Sequence, residues 1–168
     1  VNTPHPYKLY PKLTKLMVNG TTIEPNVPLD DNIVIDRAIA RALTINLTSD
    51  QTTLSLIFSA LNYFRPLQSY YNVRIKGMGK EEWQMYTYFN SDNVDSEGML
   101  HLPLFDLEPG EYVIELQASM FPYIWEGEPY RWTIVVNQSW WQARGVYLLY
   151  GLVLLALFIA NLILYIRK

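Results

Sequence analysis

The stretch that most restricts this chain is Gly145 to Ile166, GVYLLYGLVLLALFIANLILYI, which contains no charge and one strongly polar residue, Asn161. As a helix, roughly 22 residues extend ~33 Å, enough to cross the hydrocarbon core of a bilayer. Trp140, Trp141 and Arg144 precede the run, and Arg167 and Lys168 follow it. Paired Trp at one end and basic residues at the other are how a spanning helix is anchored. A helix buried in a soluble protein normally carries a polar stripe, and this one has none. The expectation is therefore a single transmembrane helix. The basic bias, Arg167 and Lys168 against Arg144, predicts a cytoplasmic carboxyl end and residues 1–144 on the outer side of the membrane.

Val1 is not an initiator Met, and the chain stops two residues past the apolar run, so both ends read as cut from a longer polypeptide. About 144 residues remain before the helix, enough for one domain with its own core. They are rich in turn formers and aromatics: 10 Pro and most of the 13 Tyr and 5 Trp of the whole chain. That mix favours strands joined by turns. Cys is absent, so disulfides cannot help. The net charge of −3 comes from interspersed acids and bases, and without a basic stripe nucleic acid is not an expected partner.

Residues 1–14 hold Pro4, Pro6 and Pro11 and read as a linker from an upstream domain. Lys15 to Val18 reads as a strand, Asn19-Gly20 as a hairpin turn and Thr21 to Ile23 as its return. Asp31 to Leu47 reads as strand, loop, strand, although Asp36 to Ala42 has helix-forming composition. From Thr53 to Ala60, Leu54, Leu56, Phe58 and Ala60 alternate with Thr53, Ser55, Ile57 and Ser59, a half-buried strand. Tyr71, Val73 and Ile75 oppose Tyr70, Asn72, Arg74 and Lys76 in the same way, and Gly77 and Gly79 close that strand. Trp83 to Phe89 and Met99 to Leu102 are further strands around a polar turn at 91–98.

In Leu107-Glu108-Pro109-Gly110-Glu111-Tyr112 the Pro-Gly pair makes a turn and the Tyr follows two residues into the next strand. At such corners in immunoglobulin-like sandwiches a Tyr bonds back to the preceding backbone. Tyr112, Ile114, Leu116 and Ala118 then alternate with Glu111, Val113, Glu115 and Gln117, and Trp132, Ile134 and Val136 share one face of a last strand. Roughly seven strands with turns between them predict an all-β fold. It is an immunoglobulin/fibronectin III-like antiparallel β-sandwich over residues 15–136, followed by a juxtamembrane link at 137–144 and the transmembrane helix at 145–166, with 167–168 beginning a cytoplasmic part. So short a link should transmit displacement.

No residue pattern points to catalysis. There is no GxSxG, HExxH or phosphate-binding glycine loop. His5 lies among prolines and His101 in a short strand; both are read as ordinary surface or strand residues. Asp92, Asp95 and Glu97 lack the spacing of a calcium loop, and Glu81 and Glu82, adjacent in sequence, would point to opposite faces of a strand. An enzyme is not expected, nor a metal or cofactor. Asn19-Gly-Thr21, Asn46-Leu-Thr48 and Asn137-Gln-Ser139 fit the glycosylation pattern, which chance produces often. Tyr63, Phe64, Tyr70, Phe121, Tyr123 and Trp125 could stack on sugar rings, against the plainer reading that they pack within the sandwich or on a neighbouring domain. If exposed, Phe121 to Trp125 would be a contact patch for that neighbour or a second protomer. In the apolar run, Ala156 and Ala160 would let two helices approach, with Asn161 adding a cross-helix hydrogen bond.

Taken in order, Phe58 to Tyr63 with Pro66, Tyr71 to Gly77, Trp83, Pro109-Gly110-Glu111-Tyr112, Trp125 and Trp140-Trp141 before an apolar helix resemble the triple-tyrosine (Y_Y_Y) domain, over about residues 15–166. The resemblance implies the membrane-proximal, periplasmic part of a Bacteroidetes-like two-component or hybrid sensor histidine kinase. Upstream it implies regulator β-propellers that take oligosaccharide, and downstream a kinase or regulator, with a homodimer passing the rearrangement through one helix. Tyr71, Gly77, Trp83, Pro109, Gly110, Tyr112 and Trp125 would be its structural motif residues. Two departures stand out: Met120 to Trp125, MFPYIW, replaces a polar turn, and Asn137-Gln138-Ser139 replaces a Pro before Trp-Trp. The alternative is a membrane-anchored sandwich that itself holds glycan or protein.

Overall fold

The computed structural model describes residues 7–79, 81–138 and 144–166, the side chains of 144, 146 and 164 excepted. Trp140, Trp141, Arg167 and Lys168 lie outside the described residues, as does the side chain of Arg144. The chain forms two units, Val1–Asn137 and Gln138–Lys168.

The regular elements of the first unit are mostly strands: β1 Lys8–Leu9, β2 Lys12–Val18, β3 Thr21–Thr22, β4 Pro28–Leu29, β5 Asn32–Ile33, β6 Thr44–Thr48, β7 Leu54–Ser59, β8 Tyr70–Lys76, β9 Gln84–Tyr86, β10 Met99–Leu104, β11 Gly110–Ser119 and β12 Tyr130–Asn137. Single 3-10 turns lie at Ile39–Arg41 and Pro66–Gln68. One sheet has the order β6-β12-β11-β8-β9, with β1 pairing on β11 just beyond the start of β12; the other has the order β10-β7-β2-β3; β4 and β5 form a separate hairpin.

The alternation read from the sequence explains the core between the sheets. Leu54, Leu56 and Phe58 of β7 are fully buried and face Tyr71, Ile114, Leu116 and Ile134 in one cluster. Phe58 meets Trp132 edge-on across the two layers, with ring centroids 4.8 Å apart. At ~25 cal/mol per Å² of apolar surface removed from water, this two-sided burial is the main stabilising contribution. The Pro109-Gly110 corner is as expected: the Tyr112 hydroxyl donates to the Glu108 carbonyl at 2.8 Å.

Three expectations need revision. The sandwich is not wholly antiparallel, because β6 pairs with β12 in parallel, Thr44 opposite Thr133 and Leu47 opposite Val136. These strands are far apart in sequence, so no hairpin dictates their direction. The stretch read as an N-terminal linker enters the sheets: Lys8 and Leu9 pair with Ser119 and Ala118, and β2 starts at Lys12. Pro11 is accommodated between these strands.

The third concerns the second unit. Its helix, α1, runs Arg144–Ile166 and is exposed at every described side chain, Ala156, Ala160 and Asn161 included. Among the described residues, no helix is long and apolar enough to cross a membrane. The placement as a single-pass inner-membrane protein, with 1–144 periplasmic and the carboxyl end cytoplasmic, is corrected accordingly.

Candidate functional site

Strand directions give the first unit two poles. β7 ends and β8, β10 and β12 begin at one pole, where β11 also ends; β7 begins and β8, β10 and β12 end at the other, where β11 begins. The connections at 60–69, 87–98 and 120–129, with the entry into β1, therefore gather at the first pole. Asn137 leaves from the second.

The first pole is tied together from inside. The hydroxyl of buried Tyr71 accepts from the Ala60 N–H at 3.0 Å and donates to the Gly98 carbonyl at 2.5 Å. Burial raises its pKa well above the ordinary tyrosine value, so it stays protonated and can donate. Gly98 has φ +73°, and a Cβ there would run into the Pro66 carbonyl, so this residue lets the two loops close on each other. Asp95 accepts from the N–H groups of Glu97 and Met99, at 2.9 and 3.0 Å, and meets His101 Nε2 at 2.8 Å. Burial alone would raise the Asp95 pKa, but those hydrogen bonds outweigh it and hold the carboxyl below its usual value. In the third loop Ser119 Oγ accepts from the Phe121 N–H at 3.2 Å and donates to the Tyr7 carbonyl at 3.3 Å, and the Tyr7 and Phe121 rings meet edge-on at 4.9 Å.

These fixed loops present large rings to solvent. Phe64 is 98% exposed, Tyr63 82%, Tyr123 78% and Phe89 71%. Tyr10, Tyr88, Phe121 and Ile124 are also exposed. Tyr70 and Trp125 are half-buried. Large apolar groups exposed together in this way make the pole the candidate contact surface of the first unit. Phe121, Tyr123 and Ile124 thus contribute exposure to the pole from the segment expected as a patch.

The remaining motif residues are distributed. Gly77, φ +96°, ends β8 against the β11 backbone: a Cβ would lie 2.8 Å from the Glu111 carbonyl. Trp83 lies with its ring 4.5 Å from the Arg74 guanidinium. Pro109, Gly110 and Tyr112 form the corner at the second pole. The hollow beside β6 lined by Asp36, Arg37, Arg41, Leu43, Thr44 and Asn46, ≈ 370 Å³, is open to solvent. Among the described residues, no three of His, Asp and Glu gather to hold a metal ion.

One cluster was not anticipated. Glu115, read as facing outward, is buried beneath Arg74, Lys76 and Arg131 on the outer face of the larger sheet. Its carboxylate accepts from Arg74 Nε at 2.7 Å, Arg131 Nε at 3.0 Å and Lys76 Nζ at 3.1 Å. Burial by itself would raise its pKa; the three cations outweigh that and hold it at about 2. Outward-pointing Arg74 and Lys76 were visible in the sequence, but their convergence on Glu115 depends on strand register.

No family model matches the chain, and no curated protein does. Solved structures share the fold. The extracellular domain of BT4673 of B. thetaiotaomicron, described in one structure as a one-component system, is 21% identical over 83% of this chain with a TM-score of 0.62. A second structure of that domain, described as a hybrid two-component system, is 21% identical over 76% with a TM-score of 0.59. The extracellular domain of the hybrid two-component system BT3049 of the same organism is 20% identical over 79% with a TM-score of 0.51. The matched part is 16%, 15% and 16% of those chains, so this chain spans about a sixth of their length. The class defined at this level is a two-sheet β-sandwich of the kind found within the extracellular domains of these one- and two-component systems.

Proposed function

We propose that this chain is a relay module of a signal-transducing sensor, taking up a rearrangement at its aromatic pole and passing it from Asn137 into the helical unit. The observation that carries the reading is polarity. The chain enters at the pole where the exposed rings gather and leaves at the opposite one, with a single core between. The fold shared with extracellular domains of two-component systems supports it. In this reading the aromatic pole seats an upstream domain, a β-propeller that takes oligosaccharide. A histidine kinase or regulator follows α1 in the same polypeptide, and two copies act as a dimer. A ligand can shift the arrangement only by its differential affinity for the two states, typically ~1–3 kcal/mol.

Replacing Phe64 and Tyr123 together by Ser, in the signalling protein that contains this chain, tests the reading. Both side chains are exposed, so the unfolding temperature of the sandwich should stay nearly constant while signal-dependent output falls severalfold or more. Wild-type output from a variant of unchanged stability would remove the pole from the relay. Oligosaccharide binding by the chain alone, lost in that variant, would favour a module that holds glycan itself.

A further inference from the structure

We propose that the outer face of the larger sheet carries a second, separate site, for an oxyanion borne on a ring: Arg74, Lys76 and Arg131 supply the charge and Trp83 the ring wall. The inference does not depend on the relay reading.

Register builds the site. Glu115 of β11 pairs with Arg74 on one side and Arg131 on the other. Val73 pairs with Gln84, which sets Trp83 beside Arg74. Trp83, immediately before β9, thus stands in one row with Arg74, Glu115 and Arg131 of β8, β11 and β12, with Lys76 on the diagonal. Side chains so placed on one face of a sheet are direct neighbours.

A carboxylate on the outer face of a sheet ordinarily meets water, yet the Glu115 side chain is 1% exposed. Three cationic arms cover it. They bring three positive charges to its one negative charge, and Glu128, 90% exposed, lies 3.9 Å from Arg131 Nη2, beyond hydrogen-bond reach. Lys76 and Arg131 remain 42% and 58% exposed while held by Glu115. An ammonium has three donors and a guanidinium five, so each keeps donors for a second acceptor. Glu115 anchors three like charges side by side and fixes their rotamers, which is preorganisation for an anion.

The neighbouring groups set the ligand class. Trp83 is 37% exposed, and its ring backs onto the Arg74 guanidinium, leaving an aromatic surface beside the cations. In the next row Asn72 and Gln117 join by their amides at 3.2 Å, a neutral polar border. Toward Gly77 lie Glu81, which accepts from the Gly77 N–H at 3.2 Å, and Glu111 on the same face of β11. Positive charge is therefore confined to the row. A carboxylate or sulfate on the cations, with its ring on Trp83, fits this surface; a nucleic-acid backbone would need a longer basic track.

The test is a titration of the whole chain at constant ionic strength with inorganic sulfate, glucuronate and glucose. NMR follows the Trp83 indole N–H and the Nε–H groups of Arg74 and Arg131. The expected result is saturable shifts with sulfate and with glucuronate, and none from glucose. Lys76→Gln should weaken both anions about tenfold, the loss of one charge-assisted hydrogen bond. Arg131→Gln gives an independent reading of the same loss. Trp83→Ala should weaken glucuronate severalfold and leave sulfate unchanged, and Lys15→Gln, on the other sheet, should change nothing. Shifts that never saturate, or saturation that neither cation variant weakens, would overturn the site; glucuronate bound by the Trp83→Ala chain as tightly as by the wild type would overturn its ring wall.

Discussion

Replacing the Tyr71 hydroxyl by hydrogen leaves the Ala60 N–H and the Gly98 carbonyl without their common partner inside the protein. A buried group so orphaned costs ~1–3 kcal/mol, and Tyr71→Phe should lower unfolding stability by about that much in a denaturant titration. Gly98→Ala should cost at least as much, because it combines a left-handed backbone with a collision at Pro66. An unchanged midpoint in both would mean that the pole is not tied together through Tyr71. The sequence marked Tyr71 as a motif position and as inward-facing, since its alternation with Tyr70 and Asn72 is local. It could not show the bond to Gly98, 27 residues away. Tyr112 was readable in full, because its partner, Glu108, is four residues upstream in the same turn.

The strands of the larger sheet depend on Glu115 as well as on their apolar faces. Its pKa is about 2 in the folded protein against an ordinary 4.5, so the folded state favours the ionised form. The stabilisation this supplies is present above pH ~4.5 and is lost as the pH falls from there toward ~2. Denaturant titrations of the wild type between pH 6 and pH 3 should show this loss, and Glu115→Gln should be less stable at pH 6 but flatter across the range. Equal slopes would assign the acid sensitivity to other carboxylates, among them Asp95, whose depressed pKa acts in the same direction. Strand existence followed from period-two alternation, and β7, β8, β10, β11 and β12 lie where that pattern puts them. Pairing did not follow: the parallel β6–β12 contact and the extension of β1 along β11 arise between segments with no local turn to announce them. The apolar 145–166 run did form a helix, α1, but hydrophobicity alone overstated what that helix does, since no described helix has the length and apolarity of a membrane span.

As a molecule, the sandwich is a body with an entrance and an exit. Exposed aromatic rings crowd the entrance, held by loops whose polar groups are satisfied from within, and the exit is the last residue of a core strand. β12 carries Trp132, Ile134 and Val136 in the common core and then ends at Asn137, so displacement of the sheet displaces the point of departure. The most direct measurement is to insert a flexible Gly/Ser run between Val136 and Trp140 in the signalling protein and record ligand-dependent output together with ligand binding. The relay account predicts that binding survives while output no longer follows it. Output that tracks ligand as in the wild type, despite the flexible insert, would contradict the account.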